Sequence, residues 1–249
     1  MNRIMLATLV LIFSLLSIGI AQDLVTDRPD FTESALVIPA KMIQIEAGAE
    51  YTDFKSATDF SFPGVLARIG LGRNLEIRLG FSGWSKVTMN DRSDTYLNDL
   101  ILEAKYQITN TTAQIPMGVL LVATLPTGDE EVSVATMEVG IKFACSYDVN
   151  ERFSFGANLG AISIDAGDRR ELLSLASVAL GIGITNRLGA FIETHAEIPE
   201  NEAWQPVMDG GFTYLITPVA QADFYVGKGL NHHAADLIIG AGFSFRFSF

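Results

Sequence analysis

Residues 43–52 read IQIEAGAEYT, with apolar or aromatic side chains at the odd positions Ile43, Ile45, Ala47, Ala49 and Tyr51. The even positions hold Gln44, Glu46, Gly48, Glu50 and Thr52. A two-residue period gives an extended strand one apolar and one polar face, and helical spacing does not fit it. The same pattern predicts strands at 60–71, 75–85, 98–108, 114–125, 136–148, 153–164, 171–184, 188–198, 207–216, 219–228 and 235–249. With the first, at 42–52, these make twelve. The eighth, ELLSLASVALGIGI, alternates least.

The connections carry a second pattern. Short segments rich in turn-forming residues lie at 72–74, 109–113, 149–152, 185–187 and 217–218. Longer polar ones, at 54–59, 86–97, 126–135, 165–170, 199–206 and 229–234, alternate with them. Tight turns on one side and longer loops on the other are the mark of a transmembrane barrel, and an even strand number returns both termini to the periplasmic side.

Hydropathy agrees with a barrel. Mean hydropathy is +0.29, yet after the first twenty or so residues no apolar run reaches the roughly 17–25 residues that a helical span needs. In lipid, only helices and closed barrels satisfy every backbone N–H and C=O internally. The predicted fold class is therefore all-β, a transmembrane antiparallel up-and-down β-barrel of about 12 strands. Its apolar face meets lipid, its polar face lines the lumen, and the glycines that recur on the polar face suit a crowded interior.

Aromatic residues support that orientation. Tyr106, Tyr147, Phe153, Tyr214, Phe247 and Phe249 fall on the apolar face near the periplasmic rim, and Phe81 and Tyr51 toward the other. Such girdles sit where ring bodies meet hydrocarbon and polar edges meet water. Phe243, Phe245, Phe247 and Phe249 end the last strand. Phe245, Phe247 and Phe249 are the expected membrane-insertion signal, read by the barrel assembly machinery.

Residues 1–21 combine Arg3, an apolar run from Ile4 to Ile20 and the small residues Gly19 and Ala21, the arrangement of a secretory signal peptide. Residues 22–40 then form a periplasmic leader or a lumen plug, with Asp27, Arg28, Asp30 and Glu33 as candidate plug residues, and 41–249 form the barrel. The expected location is the outer membrane of a Gram-negative bacterium, with outer-membrane lipid as a partner. Net charge is −12, which argues against nucleic acid, since phosphate binding needs clustered Lys and Arg. A single cysteine, Cys145, excludes an internal disulfide framework.

Candidate lumen or selectivity residues are Glu46, Glu50, Arg68, Glu76, Arg78, Asp99, Glu103, Lys105, Glu138, Lys142, Glu193, His195, Glu197, Asp209, Asp223 and Arg246. In a narrow lumen such charges pair across strands or line a water-filled path whose charge tunes passage. Glu193, His195 and Glu197 share one face, but one imidazole and two carboxylates at strand spacing are a weak metal signal, and carboxylate–imidazole pairing is the favoured reading. No metal or cofactor is expected. His195 has no serine two residues away to serve as a nucleophile, so catalysis is disfavoured, with a cross-strand serine left open. The leading function is a channel for a small-molecule solute. The alternatives are a closed structural or ligand-binding barrel and, behind it, a lipid-modifying membrane enzyme.

The segments TDRPDFTES (26–34), IQIEAGAEYT (43–52), LGRNLEIRLGF (71–81), NDLILEAKY (98–106), LPTGD (125–129) and GGFTYLITPVAQADFYVGKGL (210–230) resemble the outer-membrane protein family of the phenol meta-degradation pathway, often called transporters. Members commonly carry Gly-x-Gly-Asp before the fourth strand; this chain has Tyr96-Leu97-Asn98-Asp99. The resemblance implies uptake of aromatic or other apolar small molecules.

Overall fold

The computed structural model describes residues 24–110 and 112–249; the signal-peptide reading of 1–21 lies outside them. Fourteen strands follow one another: β1 (Met42–Phe54), β2 (Ala57–Gly70), β3 (Leu75–Phe81), β4 (Trp84–Met89), β5 (Arg92–Leu97), β6 (Leu100–Gln107), β7 (Met117–Leu125), β8 (Glu138–Asp148), β9 (Phe153–Asp165), β10 (Arg170–Gly183), β11 (Leu188–Pro199), β12 (Gln205–Thr217), β13 (Ala220–Gly229) and β14 (Leu237–Ser248). β1 pairs antiparallel with both β2 and β14, which closes the sheet. β2 pairs with β3 over 65–70 and with β4 over 57–62, so β3 and β4 form one interrupted stave. β5 and β6 form another, broken at Asn98 and Asp99. The result is a closed antiparallel barrel of 12 staves.

The two faces separate as the alternation predicts. Glu46, Arg68, Glu76 and Lys105 are completely buried inside, while Leu121, Phe143, Leu159 and Phe212 on the outer wall are each more than half exposed. Leaving that much apolar surface outside makes physical sense only against hydrocarbon. Tyr106, Tyr147, Phe153, Tyr214 and Phe249 are exposed around the rim that holds both ends of the barrel. Phe243, Phe245 and Phe247 pack ring against ring, with centroids 6.0 and 5.8 Å apart.

Three local features depart from the simple alternation. Residues 86–97, read as a polar loop, instead form most of the β4–β5 ribbon, turned at Asn90 (φ 51°) and Asp91 (φ 62°). Two successive positive φ values match a tight hairpin whose twist suits its strands. The ribbon escapes the alternation because most of its residues are exposed whichever face they lie on. Second, a register shift between Gly48 and Glu50 in the β1–β2 pairing reverses the facing of β2, so Phe60 and Phe62 point outward although Leu66 and Arg68, also at even positions, do not. Third, the connection expected at 54–59 is only Lys55 and Ser56, whereas 108–116 at the inner rim is longer, so loop length alternates less regularly than predicted.

Candidate functional site: the lumen and its N-terminal segment

Residues 24–40 have no regular secondary structure but run inside the barrel, where they hydrogen-bond to its wall. On the wall, Arg68 of β2 and Arg78 of β3 are direct cross-strand partners. Like charges so placed repel, and carboxylates surround them. Arg68 meets Glu76 at 2.7 Å, Glu46 at 2.9 Å and Asp27 at 3.1 Å. Arg78 meets Glu76 at 2.9 Å, Glu103 at 2.8 Å, and Asp27 and Glu33 as well. Lys105 reaches Asp27 at 3.2 Å and Lys142 reaches Glu33 at 2.7 Å. The segment thus supplies two of the carboxylates that neutralise a basic wall.

Backbone bonds fix its path. The amides of Asp27 and Arg28 donate to Glu46 at 3.0 and 2.9 Å. Those of Phe31 and Thr32 donate to Glu193, each at 2.6 Å. The Glu33 amide donates to Asn158 at 2.6 Å and the Ile38 amide to Glu76 at 2.7 Å. Arg28 pairs with Asp223 at 3.1 Å. Its guanidinium lies over Gly48 and Gly242, cross-strand partners at the β1–β14 seam, where a Cβ on Gly48 would come within 2.5 Å of it. Further along, a Cβ at Gly118 would meet the Ala35 carbonyl at 2.7 Å, and one at Gly70 would collide with that of Pro39. Glycines on the inner face therefore make the room in which the segment lies. Ala35 also packs into an apolar patch with Leu120, Val122 and Ala144.

Two cavities flank residues 24–33 of the segment. The outer one, about 360 Å³, is bordered by Phe31, Glu50, Leu66, Ile101 and Glu103; the inner one, about 670 Å³, by Val25, Arg152, Phe153, Thr213 and Gln221. Arg28 and Asp30 border both and stand between them.

The remaining candidates divide. Glu193, His195 and Glu197 do not converge: Glu193 takes the two segment amides and His195 Nε2 faces Asp209 at 3.5 Å, whereas Glu197 joins neither contact. Ser177 is the cross-strand partner of His195, which chain spacing alone could not reveal. Its hydroxyl is 2.7 Å from that of Thr32, and the His195 ring stacks on Phe31 at 4.2 Å, so the pair is built into the segment's contacts and not poised as nucleophile and base. Glu50 accepts the Tyr225 hydroxyl, and Arg246 donates to Gln44 at 2.8 Å. Glu138 accepts the Asp165 amide at 3.0 Å near the outer rim. Uncharged Gln44, Asn158, Ser177 and Gln221, missed among the candidates, share the inward face; the parity that exposed the charges would have found all but Ser177, whose strand alternates poorly.

Asp99 has a different task from a lumen filter. It accepts the Thr127 and Gly128 amides at 2.8 and 2.7 Å and the Ser133 hydroxyl and Val134 amide at 2.7 Å each. Asp129 returns to the Leu97 amide at 2.7 Å. LPTGD thereby wraps the break between β5 and β6, and Gly128 sits where any Cβ would strike the Leu97 carbonyl. Burial opposes the Asp99 charge, but the bonds from Val134, Ser133, Gly128 and Thr127 outweigh it and hold its carboxyl below the usual carboxylate range. A depressed carboxylate contributes stability above its unfolded pKa, about 3.9, and loses it as pH falls through the lower folded value. The loop 126–134 is expected to resist pepsin at pH near 4 and to become cleavable only in stronger acid, with Asp99→Ala cleaved across the whole range. Equal cleavage of both proteins would remove the role.

A family model described as "Putative MetA-pathway of phenol degradation" matches residues 26–247. Among solved structures, the COG4313 outer membrane channel from Pseudomonas putida F1 aligns with a TM-score of 0.64 at 13% identity, over 90% of this chain and 100% of the other. NanC porin aligns at 0.60 and 13% identity, over 81% and 98%. KdgM porin aligns at 0.58 and 8%, over 83% and 99%. At such identities the likeness concerns the fold, a barrel of the outer-membrane kind. No curated protein matches the chain.

Proposed function

Because the chain belongs to the phenol-degradation MetA-pathway family, matched over residues 26–247, we propose that it is an outer-membrane channel for small, apolar or aromatic solutes whose lumen is gated by its own residues 24–40. The observation that carries this reading is the pair of cavities separated by Arg28 and Asp30. A solute entering the outer cavity, which Phe31, Leu66 and Ile101 make partly apolar, reaches the inner one once that stretch shifts. Names of fold neighbours as channels and porins agree with the reading. The exposed outer wall and the terminal phenylalanines support insertion into outer-membrane lipid by the assembly machinery, after export directed by residues 1–21.

The test locks the segment in place. Thr32 and Ser177 have hydroxyl oxygens 2.7 Å apart, close enough for a Thr32→Cys, Ser177→Cys pair to form a disulfide, with Cys145→Ala removing the native thiol. Uptake of a small aromatic solute into vesicles is expected to stop on oxidation and return on reduction. Flux that ignores the cross-link would make the segment a fixed lining. A closed barrel is the second reading, favoured by how fully the wall charges and segment amides are paired. Folded protein that passes neither current nor solute would establish it.

A further inference from the structure

The lumen charges are segregated, and the segment answers the two halves differently. Arg68, Arg78, Lys105 and Lys142 lie on β2, β3, β6 and β8 and receive Asp27 and Glu33. On the opposite side, β11, β12 and β13 contribute Glu193, Glu197, Asp209 and Asp223, and their one lysine, Lys228, faces outward. Glu193 and Asp209 are direct cross-strand partners, and among the described residues no Lys or Arg forms an ion pair with either, the imidazole of His195 lying 3.5 Å from Asp209. Into this half the segment brings one cation, Arg28, which pairs with Asp223, and one more acid, Asp30, which borders both cavities.

Like charges in register repel, and in a low-dielectric cleft one sign of charge focuses its field on a counter-ion. Two deeply buried oxygens, Oδ1 of Asp209 and Oδ2 of Asp223, have no hydrogen-bond partner, and the Asp223 side chain is wholly buried. Of the carboxylates that border the outer cavity, Asp27, Glu33, Glu46 and Glu103 are held by Arg68, Arg78, Lys105 and Lys142, whereas Asp30 and Glu50 are not held by those cations. Beside them stand Phe31, Leu66 and Ile101.

We propose that the acidic side of the lumen is a cation lane, and that the preferred solute carries a protonated amine on an apolar body and not a carboxylate. The inference rests on the channel reading and narrows its substrate class. The ammonium takes the place of the missing counter-ion beside Glu50 and Asp209, whose Oδ1 has no hydrogen-bond partner among the described residues. The hydrocarbon part lies against Phe31, whose ring face adds a cation–π attraction.

The experiment is reversal potential in a planar bilayer under a potassium chloride gradient at neutral pH, followed by exchange of potassium for benzylammonium and of chloride for benzoate. The wild-type potential is expected to have the cation-selective sign, with benzylammonium carrying current and benzoate none. Glu50→Gln with Asp209→Asn, which keeps hydrogen-bonding shape, is expected to move the potential toward zero. A wild-type potential at zero or of the anion sign overturns the inference while leaving the channel intact. If folded protein carries no current, the channel reading itself fails, and binding to detergent-solubilised protein decides. Saturable benzylammonium binding weakened in the double variant then supports the lane, and its absence, or equal binding of benzoate, overturns it.

Discussion

Arg68→Ala is expected to destabilise the folded barrel by on the order of 3–5 kcal/mol, the usual cost of removing one partner from a buried ion pair. Arg68 has no exposed surface and holds Glu76, Glu46 and Asp27. Without it, three carboxylates lose a shared cation in a space that water does not reach. The effect is to be read from urea unfolding in lipid vesicles, followed by the gel mobility that separates folded from unfolded barrels. Arg68→Met combined with Glu76→Gln should recover part of the loss, because deleting both charges leaves less uncompensated charge than deleting one. A cost below about 1 kcal/mol would place these charges in effectively open water, as for surface pairs.

The second large effect is on passage. Gly118→Ala together with Gly70→Ala puts methyl groups against the Ala35 and Pro39 carbonyls, backbone atoms that cannot swing aside. Neither change touches a charge or the outer wall, so the barrel should still form while residues 24–40 are pushed from their groove. Conductance is expected to rise, and the segment should become cleavable by protease added at the inner rim. Unchanged current with a cleaved segment would show that the constriction lies elsewhere in the lumen.

Most of the barrel could be read along the chain because a two-sided wall imposes a two-residue period wherever lipid is on one side and water or protein on the other. Where that condition fails, so does the reading. Most residues of the β4–β5 ribbon are exposed on either face, and beyond Lys86 they show no alternation. On β2, one register shift exchanges the faces midway, at Phe62-Pro63-Gly64, where a proline and a glycine inside a strand pattern mark a bulge. β10 alternates poorly because Leu175 and Ala179 face inward, beside Ser177. The inward charges followed from parity, but their partners did not: Arg28 and Asp223 are 195 positions apart, and Thr32 and Glu193 are 161. The charges of residues 26–34 suited the periplasm and the lumen equally well. The clue that bore on the choice was the excess of glycine on the inner face, which marks space kept for another stretch of backbone. Asp99 and LPTGD were visible as separate motifs, and only the folded rim joins them.

The contacts of residues 24–40 also bear on how the cylinder resists being torn. Its chain ends meet at β1 and β14, the line along which a rolled sheet would be expected to part first. Just upstream of β1, Asp27 grips staves on one flank of that line while Arg28, Phe31 and Thr32 grip staves on the other. The join is thus riveted from within by the piece of polypeptide that precedes it. A circular permutant that moved this piece away from β1 would keep every strand pairing yet lose the rivet, and should split at lower denaturant than the native order.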